Sequence, residues 1–309
     1  MNPWDADIHL SREQAKHLVA DQFAEFRHEG FRLLSNGWDN TAYLAAERYV
    51  FRFPRRKVAA HLIENENRIL PLIAKHLPIP IPVPEFVGEP TDSYPFVWAG
   101  YEYLPGQPGN YRKWTPRHRA ALARPLGKFL RALHGIEIPA DVLYWAPRDE
   151  IARSEMKTRM PKMEERLDKL PSIIPSVDPA AIRTITHRLI EKEEIAQSSS
   201  QPLTWVHGDF SCRHILVDEQ RRIMGVIDWG DVHVGEPSLD LSILYTFLPA
   251  VARPDFVDEY GAIDEQTDRK AKFRAITHAL AIAEYGHAIQ DRTLVREAEF
   301  CLLSIQNNN

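Results

Sequence analysis

Four prolines alternate with apolar residues in Pro78-Ile79-Pro80-Ile81-Pro82-Val83-Pro84. Proline locks φ and lacks the N–H that a helix or an interior strand needs. The run must therefore be an extended connector, and the chain on either side must organise separately. At 309 residues there is enough chain for two lobes, each with its own core. Hydrophobic residues make up 44% and charged residues 26%, ordinary globular usage that excludes collagen-like and disordered chains. The formal charge of −5 argues against nucleic acid as main partner. No apolar run approaches the ~18 residues of a membrane span, and MNPWDADIHLSREQ has no secretion-signal pattern. Two cysteines, Cys212 and Cys301, make no disulfide framework and fit a cytoplasmic location.

Before the connector, Ser11-Arg12-Glu13-Gln14 reads as a capping box that opens a helix to about His28. Residues 31–35, 41–46 and 49–53 read as strands of a meander, and 58–76 has helical spacing. Two more strands, 85–88 and 96–103, complete a five-stranded sheet. Past Pro105-Gly106 the pattern turns helical. Thr115-Pro116 opens a helix reaching Leu133, and further helices are expected near 149–167 and 179–197. Three short apolar strands lie at 203–206, 215–217 and 224–227, and from Ser238 the chain is mostly helical. The expected plan is α+β, with a β-rich lobe at 1–103 and a helical lobe at 104–309.

Chemistry concentrates in His207-Gly208-Asp209-Phe210-Ser211-Cys212-Arg213-His214 and in Ile227-Asp228-Trp229-Gly230-Asp231. Each follows an apolar strand, so each displays a carboxylate at a strand end, where rigid scaffolds present functional groups. Phosphoryl transfer needs one carboxylate for the attacking hydroxyl and another, with one more ligand, for Mg²⁺. Asp209 suits the first role, Asp228 the second, and His214 is the candidate extra ligand. His207 reads as loop support. Asp240, amid apolar residues, must be paired if buried and reads as a brace for the loop. Cys212 reads as a small residue without thiol chemistry.

HGDFSCRHILVD followed by GVIDWGDVHVGEP resembles the antibiotic phosphotransferases, which have a two-lobed protein-kinase-like fold. The DFSxxHIL wording is closest to the aminoglycoside 2″-phosphotransferases. His214 stands where most antibiotic phosphotransferases have Asn, a variant shared with the aminoglycoside 2″-phosphotransferases and the macrolide phosphotransferases. The resemblance implies ATP or GTP as donor and Mg²⁺ as cofactor. It implies a nucleotide loop at Asn36 and Gly37, with Trp38 beside it. Arg52 holds the place of the phosphate-binding kinase lysine, which a guanidinium fork can fill. Glu66 resembles the helix glutamate that pairs with it, with Glu64 as rival. Backbone groups at Glu102 and Leu104 would bind the purine edge.

Residues 205–268 carry thirteen acids against four arginines, a local charge of −9 that leaves +4 for the rest of the chain. An acidic surface would attract a polycation, so the expected acceptor is a cationic antibiotic, aminoglycoside ahead of macrolide, with Asp231 and Glu236 as acceptor contacts. A metabolite kinase of the same fold is the alternative acceptor reading. A nucleotide-binding pseudokinase is the rival of another class, resting on the departures at Arg52 and His214. A metal-dependent hydrolase built on His207, Asp209, His214 and Asp228 ranks last. A monomer is expected.

Overall fold

The computed structural model describes residues 6–37, 39–195 and 203–308; Trp38 lies outside them. The chain divides into two compact units. One contains the residues up to Lys75, Pro80–Pro105 and Gly225–Val232; the other contains His76–Ile79, Gly106–Met224 and His233 onward.

In the first unit, helix α1 (Arg12–Gln22) opens on the capping box: Gln14 N–H donates to Ser11 Oγ at 3.3 Å and Ser11 N–H to Gln14 Oε1 at 2.9 Å. It stops six residues short of His28. Phe23 adopts an extended backbone (φ −130°, ψ 98°), and its ring packs edge-on against Phe86 and Trp98 at 5.1 and 5.7 Å. Aromatic burial outweighs the next helical turn. Strands β1 (Phe31–Asn36), β2 (Asn40–Ala45), β3 (Tyr49–Pro54), β4 (Phe86–Gly88) and β5 (Trp98–Glu102) form one antiparallel sheet in the order β1-β2-β3-β5-β4. Helix α2 (Lys57–Ile73) lies between β3 and β4 in the chain and buries Ile63, Glu66, Ile69, Leu70 and Ile73. The core is aromatic, with Phe51, Phe53, Tyr94 and Trp98 wholly buried. Such ring pairs contribute about 0.5–1.5 kcal/mol beyond the area they bury. Gly100 is needed there, since a Cβ would sit 2.3 Å from the Phe51 ring.

Gly225–Val232 falls in the 104–309 half of the chain yet packs with this first unit. Val226 N–H donates to the Pro80 carbonyl at 3.0 Å. Trp229 is wholly buried and returns its indole N–H to the Val226 carbonyl at 2.9 Å. The proline connector thus supplies, from a residue with no N–H of its own, an acceptor that fixes this segment.

The second unit is mainly helical. Strand β6 (Gln107–Pro108) precedes helices α3 (Pro116–Ala120), α4 (Ala123–His134), α5 (Ala140–Trp145), α6 (Met156–Ile173) and α7 (Pro179–Ile195). Then come β7 (Thr204–Val206), β8 (Ile215–Val217), β9 (Ile223–Val226, whose last two residues fall in the first unit) and β10 (His233–Gly235). Helices α8 (Ser238–Leu241), α9 (Ile243–Thr246), α10 (Arg253–Tyr260), α11 (Glu265–Ala288) and α12 (Arg292–Asn307) finish the chain. Thr115 caps α3 as expected, its side chain accepting from His118 N–H at 3.2 Å. The single helix expected from there to Leu133 is broken, because Pro125 cannot donate to the carbonyl of Ala121. The helix expected at 149–167 begins only at Met156. The Asp149 side chain accepts from Ser154 N–H at 3.1 Å, and Ala152 has a left-handed backbone (φ 52°), so residues 149–155 turn. The core of this unit runs through Leu126, Phe129, Leu130 and Leu133 of α4, Phe210, and the facing sides of α11 and α12. No helix among the described residues is long and apolar enough to cross a membrane.

Candidate active site

In the first unit, the register of β3 places Arg52 between Ala42 of β2 and Ala99 of β5. These small neighbours leave room for a long side chain to lie buried, at 7% exposure. Its Nη1 donates to both oxygens of Glu66, at 2.8 and 3.1 Å, and its Nη2 to Oδ1 of Asp228 at 3.1 Å. Glu64, two residues earlier on α2, is exposed. Glu66 therefore takes the pairing role and Glu64 does not. Burial pushes the Glu66 carboxyl up; Arg52 pulls it down, while Asp228 and Asp231 add like charge, and the balance is upward. Arg52 stays charged: desolvation opposes this, but Glu66, Tyr101 and Asp228 more than offset it. Asp228 itself has a left-handed backbone, φ 64°.

The β1–β2 turn holds Asn36 and Gly37. Asn36 Oδ1 accepts from the Thr41 hydroxyl at 3.0 Å, and Gly37 N–H donates to the Asn40 carbonyl at 2.9 Å. The basic run after β3 fixes this turn: Arg55 donates to the Gly37 carbonyl at 2.6 Å, and Arg56 pairs with Asp39 at 3.0 Å. Glu102 ends β5 opposite Tyr49, its exposed carboxylate 3.7 Å from Arg48. Leu104 is half-buried, and its side chain lies against Gly225.

In the second unit, β7 pairs antiparallel with β10 and ends at His207. Gly208 turns the chain with φ 82°, a conformation that favours glycine. Asp240, fully buried, accepts from His207 N–H at 2.7 Å and Gly208 N–H at 3.0 Å, and lies 3.3 Å from His134 Nε2. Burial opposes its ionisation, but His134, His207 and these amides hold it below the ordinary range. Asp240 thus fixes the two residues before Asp209. His207, also wholly buried, accepts from Asp209 N–H at Nδ1 (3.3 Å) and stacks on the His214 ring at 5.7 Å.

Asp209 is the most heavily engaged carboxylate of this unit. Arg213 Nη2 reaches Oδ2 at 2.9 Å, while Arg274 Nη2 and His278 Nδ1 each lie 3.3 Å from Oδ1. Burial works against its ionisation, yet Arg213, His278 and His214 hold it well below the usual carboxylate range. His278 is pushed down by burial, which Asp209 only partly offsets. His214 Nδ1 lies 2.8 Å from the Asp209 carbonyl, which only accepts, so Nδ1 carries a proton there. Sequence reasoning missed Arg213, Arg274 and His278 as partners of the Asp209 carboxylate. Arg213 sits inside the motif, four residues on. Arg274 and His278, four apart on α11, share one helix face without any motif.

The acid-rich segment looks different once folded. Glu236 is taken by Lys270, which bridges both its oxygens at 2.9 Å. Asp218 pairs with Arg222; Asp255, Asp258 and Glu259 with Arg124; Glu265 with Arg269. Asp264 caps α11 and Asp268 accepts from the Tyr245 hydroxyl. Arg124, Arg269 and Lys270 lie outside residues 205–268, so the local count of −9 left out the charges that answer it. Asp231 is half-buried in the first unit and raises Glu66 and Asp39 by its charge. Among the described residues no three His, Cys, Asp or Glu side chains group as a metal cage.

Residues 30–274 match the family model described as APH, phosphotransferase enzyme family. Among solved structures, the chain resembles the GDP and kanamycin complex of APH(2″)-IIIa, with a TM-score of 0.70, 20% identity, and coverage of 96% of this chain and 99% of that one. It resembles ADP-bound APH(2″)-Ib with a TM-score of 0.60 at 21% identity, covering 96% and 98%. It also resembles the macrolide 2′-phosphotransferase MphH from Brachybacterium faecium, with a TM-score of 0.59 at 20% identity, covering 94% and 98%. At these identities the likeness is one of fold, and the fold is the protein-kinase-like one.

Proposed function

The chain belongs to the phosphotransferase enzyme family, and from that premise we propose that it is a Mg²⁺-dependent small-molecule kinase moving the γ-phosphoryl of ATP or GTP to an acceptor hydroxyl. The observation that carries this reading is Arg52, buried and held between Glu66 and Asp228. A guanidinium fixed at that strand position serves to bind the α- and β-phosphates, with Glu66 orienting it. The turn at Asn36 and Gly37 approaches the phosphates through its backbone. Backbone groups at Glu102 and Leu104 take the purine edge.

Mg²⁺ fits the donors present. It uses one or two carboxylates and leaves its other positions to phosphate and water, so a protein cage is not required. Asp228 would supply an oxygen to the ion and His214 would be the second donor. When bound, the ion supplies neutralisation of phosphate charge. Asp209 takes the hydrogen bond of the attacking hydroxyl and orients it. A carboxylate held so firmly ionised is a weak base, but phosphoryl transfer asks chiefly for positioning and charge stabilisation.

Aminoglycoside is the first acceptor class and macrolide the second, because relatives of this fold are phosphotransferases of both. The DFSxxHIL wording supports the aminoglycoside. The acid surplus does not, since Glu236 and most of its neighbours are paired within the protein. Asp231 remains the acceptor contact of choice. A metabolite acceptor is the second reading, favoured by the two arginines on Asp209. The test is incubation with Mg²⁺, ATP or GTP, and each of kanamycin, gentamicin and erythromycin, followed by mass spectrometry. A gain of one phosphoryl group on an antibiotic is expected. No gain on any of the three would sink the antibiotic reading and leave the metabolite one.

A further inference from the structure

Among the buried polar oxygens of the second unit that make no hydrogen bond, three lie together: Ser211 Oγ, Thr246 Oγ1 and Asn110 Oδ1. Their residues are 5%, 8% and 3% exposed. Each orphan costs ~1–3 kcal/mol if left dry, so three in one place call for an explanation. All three line one cavity of about 30 Å³, whose wall also includes Arg213, His278 and Glu297 beside apolar residues such as Leu294 and Cys301. The orientation of the Asn110 amide is fixed. Thr293 Oγ1 gives its proton to Asp291, so it can only accept from Asn110 Nδ2, which leaves Oδ1 toward the cavity. Ser211 precedes the helical turn Cys212–His214, yet its hydroxyl caps nothing.

We propose that this cavity beneath the Asp209 loop is a binding site for neutral hydrogen-bond donors of very few heavy atoms, either water or a short diol, bridging Ser211, Thr246 and Asn110. The occupant must donate, since the amide oxygen only accepts, and a neutral one suffices, since the charged groups in the wall are already paired, Arg213 with Asp209 and Glu297 with Arg119. At ~10–15 Å³ for one water, the space holds two or three. The occupant would tie the loop of Asp209 to the helices that carry Thr246 and Leu294.

The test is urea unfolding of the full chain as wild type, Ser211→Ala, Thr246→Val and the double variant, with Thr246→Ser as a control that keeps the hydroxyl. With the site occupied, Thr246→Val lowers the folding constant about tenfold, Thr246→Ser less, and the double variant loses less than the two single losses combined, because both hydroxyls share one bridge. If Thr246→Val raises the folding constant, or if the two losses simply add, the proposal is overturned. Ethylene glycol separates the sources. A midpoint increase in the wild type that Thr246→Val abolishes assigns a diol, and coupling without that increase assigns water. Ligand-free crystals at high resolution give a second reading should Ser211→Ala not fold: density bridging the three oxygens supports the site, and an empty cavity overturns it.

Discussion

In the first unit one arginine, Arg52, is shared by two carboxylates; in the second one carboxylate, Asp209, is shared by two arginines. Both clusters are buried, and burial pushes both carboxyls the same way, toward the neutral acid. The outcomes are nevertheless opposite. Glu66 ends above its ordinary value because burial raises it and Asp228 and Asp231 add like charge beside it, more than Arg52 takes back. Asp209 ends well below because Arg213, His278 and His214 all favour its charge. Burial raises both carboxyls, and the partners decide how far each is brought back. The ratio of partners also matches the proposed roles, since a carboxylate-rich cluster suits a site that gains a divalent cation, while an arginine-rich one keeps a hydrogen-bond acceptor ionised.

The largest effect should come from removing the shared carboxylate. Asp209→Asn is expected to lower turnover by on the order of 10³-fold while calorimetry shows nucleotide affinity unchanged. Retained turnover would remove Asp209 from the chemistry and break the contrast. Next, Glu66→Gln strips Arg52 of one of its two carboxylate partners. Breaking a buried pair costs about 3–5 kcal/mol, and Asp228 should cushion it to about 2 kcal/mol, read from urea unfolding. A neutral result would show that Asp228 alone suffices. The smallest effect concerns acid. Asp209 and Asp240 are both depressed in the folded state. Such carboxylates contribute stability above their unfolded value, near pH 4, and lose it as pH falls through their lower folded values. Thermal unfolding should therefore be flat from pH 7 to 5 on their account and fall steeply below 4. Asp240→Asn should be less stable at pH 7 and show a shallower acid limb. An unchanged limb would mean that Asp240 does not hold the loop through its charge.

Much of this was readable from the residues in order. Local rules found the capping box at Ser11, the five strands and Thr115. The choice between Glu64 and Glu66 needed only the helix face that α2 buries. What was not readable depended on partners distant in sequence. Arg274 and His278 meet Asp209 from a helix about 65 residues later, with nothing at their positions to announce it. The acid count misled for the same reason, since charge summed along a segment ignores Lys270 and Arg124 folding back onto it. Asp228 lies in the second half of the chain but packs with the first unit, a consequence of Trp229 burying itself and Val226 bonding to Pro80.

The backbone at Asp228, with φ 64°, restricts what can replace it. Only Gly, Asn and Asp enter that region readily, and of these only Asp brings a carboxylate. Alanine or glutamate would add a backbone cost to the change at the side chain, so their effects would mix two causes. Asparagine keeps the path and removes the charge alone. The fold has thereby narrowed this position to one working residue and a single clean substitute.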